Sequence, residues 1–168
     1  MISSFLKTIC IVSLFALVSF SVFAQTKEEK KAALEAQVKQ MIESGEFLFA
    51  ARNMNPMGGR THIITSSNYG IIVSKDSVIS DLPYIGRAYT APIGSTSSGI
   101  KFTSVEFEIK TSPAKKGGWN ISIKPKDISD IRELSLIITN TGNTTVNVLS
   151  NSRQSISYTG ELVERKKN

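Results

Sequence analysis

The chain is poor in the residues that carry most enzyme chemistry, with one cysteine, Cys10, and one histidine, His62. Cys10 lies inside an apolar N-terminal run, and residues 25–168 contain no cysteine. Beyond that run, disulfides, thiol catalysis and cysteine-ligated zinc or iron–sulfur centres are excluded. A single imidazole leaves a histidine-based zinc site short of ligands. A Ser-His-Asp triad would have to use His62, and the chain has no Gly-x-Ser-x-Gly elbow to supply the nucleophile. The stretch Gly94-Ser95-Thr96-Ser97-Ser98-Gly99 lacks that spacing. No catalytic residue, metal or cofactor is assigned, and a non-enzymatic role is expected.

Long hydrophobic runs are also scarce. The main one, Ile9 to Phe23, follows the basic Lys7 and ends in Val22-Phe23-Ala24. It is shorter than the roughly 20 apolar residues that span a bilayer as a helix. A short positive region, an apolar stretch and small residues at its end are the marks of a secretory signal. Residues 1–24 are therefore expected to be a signal peptide cleaved between Ala24 and Gln25. A lipoprotein cysteine would stand at the cut, whereas Cys10 lies within the run and is discarded with it. The mature chain is expected in the periplasm or outside the cell, with no transmembrane segment.

Acidic residues are outnumbered, 14 against 20 Lys and Arg. The excess is spread in a way that does not suit nucleic acid. Lys27, Lys30 and Lys31 alternate with Glu28 and Glu29, and Arg165, Lys166 and Lys167 form a basic tail over 164–168. No basic stripe carries interleaved aromatics, so nucleic acid is not expected as a partner.

Residues 27–44 carry Leu34, Val38, Met41 and Ile42 at helical spacing among Lys, Glu and Gln, and Gly45 stands at the C-cap position. Residues 25–45 thus predict one helix capping the domain. From Glu46 the period becomes two. Strands are predicted at 46–54, 61–66, 69–74 and 77–84, with Phe47, Phe49 and Ala51 on one face and Arg52 and Met54 on the other. The segment 88–99 reads as a loop. Ile100–Thr111 reads as one strand with Val105, Phe107 and Ile109 inward. Strands follow at 118–124, 133–139, 144–150 and 154–163, and Asn140-Thr141-Gly142-Asn143 is a hairpin signal. About eight strands with short connections imply an antiparallel up-and-down meander. Residues 46–163 are expected to form a lipocalin-like barrel or strongly curved sheet, with a β-sandwich as the alternative.

Four strings carry a resemblance: Phe49-Ala50-Ala51-Arg52-Asn53-Met54-Asn55-Pro56-Met57-Gly58-Gly59-Arg60, Asp81-Leu82-Pro83-Tyr84-Ile85-Gly86-Arg87-Ala88-Tyr89, Gly99-Ile100-Lys101-Phe102 and Asn151-Ser152-Arg153-Gln154-Ser155-Ile156-Ser157-Tyr158-Thr159-Gly160. Together they resemble the DUF4251 family of exported Bacteroidetes proteins. The resemblance implies a cell-envelope location and brings no catalytic residues.

Within or beside those strings lie Arg52, Asn53, Asn55, Arg60, Tyr84, Arg87, Tyr89, Arg153 and Tyr158. Arginine forks bind carboxylate or phosphate, and tyrosine pairs an apolar face with a polar tip. Gathered at a barrel mouth, these side chains would bind a small amphiphilic or anionic ligand. They can equally serve turns and core. An envelope protein is the alternative partner, engaged by a structural or interaction factor. A carboxylate hydrolase would need two acids such as Glu106 and Glu108, which on one strand face lie about 7 Å apart but point to solvent. Asp76-Ser77-Val78 resembles the O-glycosylation acceptor of Bacteroidetes and marks Ser77 as a candidate.

Overall fold

The structure, a computed structural model, describes residues 27–89, 99–115 and 117–165. The expected signal peptide with Cys10, most of the 88–99 loop and the last tail residues lie outside them. The chain divides into two compact units, Met1–Lys30 and Lys31–Asn168. Of the first, only Lys27–Lys30 are described, and they form the opening turn of helix α1 (Lys27–Ser44).

The helix has the predicted span. Glu28 and Glu29 in its first turn suit the positive end of the helix dipole. Lys31 pairs with Glu35, and Lys39 with Glu43, along its solvent side. Gly45 ends it at φ 69°, where its N–H donates to the Ile42 carbonyl. Val38 is buried and Met41 and Ile42 pack against the core, whereas Leu34 remains 47% exposed.

Among the described residues the second unit contains a ten-stranded antiparallel sheet. The strands are β1 (Phe47–Pro56), β2 (His62–Ile63), β3 (Gly70–Val73), β4 (Val78–Leu82) and β5 (Ile100–Ser104). They continue as β6 (Phe107–Pro113), β7 (Trp119–Pro125), β8 (Ile131–Ile138), β9 (Asn143–Ser150) and β10 (Ile156–Val163). The order is β5-β4-β3-β1-β10-β9-β8-β7-β6, with β2 beside the second half of β1. Short links make most sequential neighbours antiparallel, as the sequence implies, while the pairing of β1 with β10 joins the first strand to the last.

The antiparallel order makes β5 and β6 run in the same direction, with only Val105 and Glu106 between them. One continuous run is thus hydrogen-bonded to β4 through its first half and to β7 through its second. This brings the two edges of the sheet together and nearly closes it into a barrel. The single strand expected over 100–111 is instead a kinked pair. Val105 is 65% exposed rather than inward, and Ser104 is buried in its stead. The cause lies in Asp127. Its carboxylate accepts the N–H groups of Val105 (2.8 Å) and Glu106 (3.3 Å) and the Ser104 hydroxyl (2.5 Å). The Lys126 N–H meanwhile reaches the Glu106 carbonyl at 2.7 Å. The backbone groups released from the ladder are therefore satisfied, which is what permits the break.

A second departure falls in β1. Ala51 pairs with Gly160 and Asn53 with Thr159, so Arg52 is an extra residue in the ladder. The bulge inverts the alternation after it. Met54, expected beside Arg52 on the outer face, is buried in the core with Phe47, Phe49 and Ala51.

The inner face is filled by side chains. Phe49, Ile71, Leu82, Ile123, Leu134, Leu136, Ile138 and Tyr158 are all fully buried. At roughly 25 cal/mol per Å² of apolar surface, this interior is the main source of stability in a domain without disulfides.

Candidate functional site

The sheet has two ends. At one, the chain leaves β4, enters β5, β8 and β10, and leaves β9. Several of the residues singled out in the sequence meet there. Arg153, just ahead of β10, has a side chain only 10% exposed. Its Nη1 donates to the Gly99 carbonyl at 2.9 Å, and its Nε lies 3.6 Å from Asp130 Oδ2. The guanidinium covers the Tyr84 ring at 5.4 Å from the centroid. The Tyr84 hydroxyl is shared between the carbonyls of Arg87 (3.1 Å) and Gln154 (3.0 Å).

Beneath this layer, the fully buried Tyr158 donates its hydroxyl to the Pro83 carbonyl at 2.6 Å. Burial raises the Tyr84 phenol, with the charge of Arg153 working against it. Burial drives the Tyr158 phenol far above the ordinary tyrosine range. Asp130 also accepts the hydroxyls of Ser150 (2.9 Å) and Ser152. Backbone pairing completes the cluster: Ala88 bridges Arg153, the Tyr89 N–H reaches the Ser152 carbonyl, and the Gln154 N–H the Arg87 carbonyl. Arg153 thereby grips the chain at both Ala88 and Gly99, the two sides of the connection between β4 and β5.

Of the nine side chains proposed from sequence, Tyr84, Arg153 and Tyr158 converge here and spend their polar atoms mainly on backbone carbonyls. Arg87 enters through its carbonyl, and the Arg87 and Tyr89 side chains are exposed. The others lie elsewhere. Arg52 pairs with Glu161 at 2.5 Å on the outer face. Asn53 donates to the Thr159 hydroxyl, and Asn55 accepts from Thr61. Arg60 is exposed in the β1–β2 turn. Ser77 is half-buried in the β3–β4 turn, its hydroxyl 2.9 Å from that of Ser74. Glu106 sits in the kink, and Glu108 is held below the usual carboxylate range chiefly by a hydrogen bond from Lys110. Among the described residues no group of three or more His, Cys, Asp or Glu is placed to hold a metal.

The opposite end offers concave surface. Between α1 and the end of β10 lies a cleft of about 380 Å³. Its floor is Leu34, Val38, Met41, Leu162 and Val163, and its rim is Gln37, Gln40, Glu161 and Glu164. Small-molecule sites run from about 300 to 1,000 Å³. The helical stripe pointed to its floor, but the pairing of that stripe with β10 is a tertiary fact with no local signal. Arg52 touches this rim through Glu161.

Filled interior, self-directed arginine–tyrosine cluster and apolar cleft under a single helix define a class: a small antiparallel β domain, nearly closed into a barrel, with its concave surface outside the barrel. A solved structure shares this fold, a DUF4251 family protein from Bacteroides eggerthii DSM 20697 at 1.95 Å resolution, with a TM-score of 0.58 and 21% identity over 80% of this chain and 91% of that one. The chain belongs to the DUF4251 family, a domain of unknown function, whose model matches residues 29–162. No curated protein matches it. Among the described residues no helix is long and apolar enough to cross a membrane.

Proposed function

We propose that the protein is a non-enzymatic binding domain of the cell envelope that takes the apolar end of a small amphiphile in the cleft between α1 and β10. The observation that carries this reading is the cleft itself, with an apolar floor, a polar rim and a partly exposed Leu34 at its opening. The barrel interior is packed with side chains, so a ligand would sit outside it. Of the two rim glutamates Glu161 is already paired with Arg52, so Glu164 alone weighs against an anionic head group. The reading of an envelope protein docking on a strand edge has less support, because Lys110 and Pro113 blunt the exposed β6.

The test is Nile red titration of the full chain, together with native mass spectrometry of protein purified from its own host. Saturable dye uptake that is lost in Leu34→Glu, with unchanged thermal stability, supports the proposal. Absence of uptake, or uptake indifferent to Leu34→Glu, removes it.

A further inference from the structure

The outer face of β7, β8, β9, β10 and β1 carries two transverse rows of side chains set by the strand register. One row is Ser122, Ser135, Asn147, Ser157 and Asn55, each directly opposite the next. The other is Asn120, Ile137, Thr145, Thr159 and Asn53. Charge is absent from both rows, although a soluble surface ordinarily holds about 25–35% charged residues. Charged side chains border the rows: Lys110 stands opposite Ser122, Glu133 accepts the Ser122 hydroxyl at 2.6 Å, and Glu161 lies beyond Thr159.

The choice of residues runs against strand preference. Asparagine is depleted in strands, where threonine, lysine or an aromatic would serve an ordinary solvated face better. Here Asn53, Asn55, Asn120 and Asn147 all point outward from strand positions. A local rule broken repeatedly on one face is the mark of a functional surface. Ser135, Thr145, Asn147 and Ser157 make no side-chain hydrogen bond to another described residue, so their donors and acceptors face outward unspent.

Every hydroxyl and amide in these rows both donates and accepts. Strand spacing repeats them about every 4.8 Å along a row, and the two rows lie about 7 Å apart. The row through Asn120 and Ile137 runs into a groove of about 670 Å³ shared with Thr139, Asn140 and Thr141 and lined also by Lys31, Glu35 and Lys115. A hydrogen-bonded sheet holds this array without further ordering cost. Protein interfaces centre on aromatics, Met and Arg, and nucleic acid or anionic lipid needs a cationic face. We infer that this face binds an uncharged polysaccharide, a ligand whose repeated hydroxyls match repeated hydroxyls and amides, with Ile137 meeting the C–H face of a sugar ring. The two rows contribute no residue to the amphiphile cleft, which meets the groove only at Thr141, and the inference does not depend on that cleft.

Affinity electrophoresis of the full chain through gels containing dextran, mannan or arabinoxylan tests the inference. Retardation by at least one polysaccharide is expected, unaltered between low and high salt. The double variant Ser135→Ala/Asn147→Ala should weaken it about tenfold, as the loss of two hydrogen bonds requires. Asn147→Lys should do so independently, Lys75→Ala should leave retardation intact, and thermal melting identifies any variant that has lost its fold. Four results would overturn the inference: no retardation of the wild type in any gel, retardation abolished by salt, retardation indifferent to both face variants, or self-association of the wild type that those variants abolish.

Discussion

The guanidinium of Arg153 stacks on the ring of Tyr84 at 5.4 Å while the Tyr84 hydroxyl is shared between the carbonyls of Arg87 and Gln154. Each residue thus fixes the other and the backbone around it. The pair converts a ligand-like set of side chains into an internal clasp.

Removing the guanidinium takes the positive charge from beside Asp130, which keeps the Ser150 and Ser152 hydroxyls, and removes the hydrogen bond from Arg153 to the Gly99 carbonyl. Arg153→Ala should cost about 1–3 kcal/mol in urea unfolding, the range for losing a charged hydrogen bond. Arg153→Lys keeps the charge but not the fork, and should recover part of that loss. Equal stability of Arg153→Lys and Arg153→Ala would show that the geometry of the guanidinium contributes nothing.

Tyr158→Phe removes the donor to the half-buried Pro83 carbonyl and should cost about 1–2 kcal/mol. The pH dependence has a definite sign. Burial raises the folded-state pKa of Tyr158, so its contribution is fully present below the ordinary tyrosine value of about 10. That contribution is lost as pH rises through the folded value. The stability difference between wild type and Tyr158→Phe should therefore be constant at neutral pH and shrink in alkali. Paired urea titrations from pH 8 to pH 11 measure it, and a difference that grows with pH contradicts the assignment.

These residues also mark how far the sequence could be read. Helix α1 was legible to its ends because Leu34, Val38, Met41 and Ile42 repeat at 3.6 residues and Gly45 stops the run. The strands from β7 onward were legible because hydrophobic residues alternate between clear turns. The kink at Val105-Glu106 was not, since alternation continues across it and the capping Asp127 lies more than twenty residues downstream. The bulge at Arg52 was hidden for the same reason, as it exists only relative to Gly160 and Thr159 on β10. The composition of Arg153, Tyr84 and Tyr158 suggested a cluster, but which carbonyls they would take depends on how β4, β8 and β10 end together. The rows centred on Asn147 needed the register of five strands, although outward asparagines in strands were a usable signal.

Asp127 should matter most where the barrel nearly closes. Its carboxyl is held below the usual range first by the Ser104 hydroxyl and then by the Val105 N–H. A depressed folded pKa contributes stability that is present above the ordinary carboxylate value and lost as pH falls through the folded one. Asp127→Asn should lower the melting temperature at pH 7, and the gap to wild type should close in acid. Glu106→Gln, on the same kink with an exposed side chain, should leave a smaller gap. Melting curves from pH 7 to pH 3 check both, and an acid-invariant gap would mean that Asp127 acts by shape and not by charge.

The junction of β1 with β10 rests on the absence of a side chain. A methyl added at Gly160 would run into the carbonyl oxygen of Ala50, a backbone atom in the facing strand, with the Phe49 ring 3.0 Å away. Neither can yield without separating the strands next to the Arg52 bulge. Gly160→Ala should therefore cost about 3 kcal/mol, the upper end of overpacking penalties. Gly45 provides the contrast, because nothing lies within 4 Å of an added methyl and only its φ of 69° opposes one. Gly45→Ala should cost about 1 kcal/mol, the penalty of left-handed backbone alone. Equilibrium unfolding of the two variants ranks them. If Gly45→Ala proved the more damaging, the close approach of Ala50 to Gly160 would not be what holds the β1–β10 register.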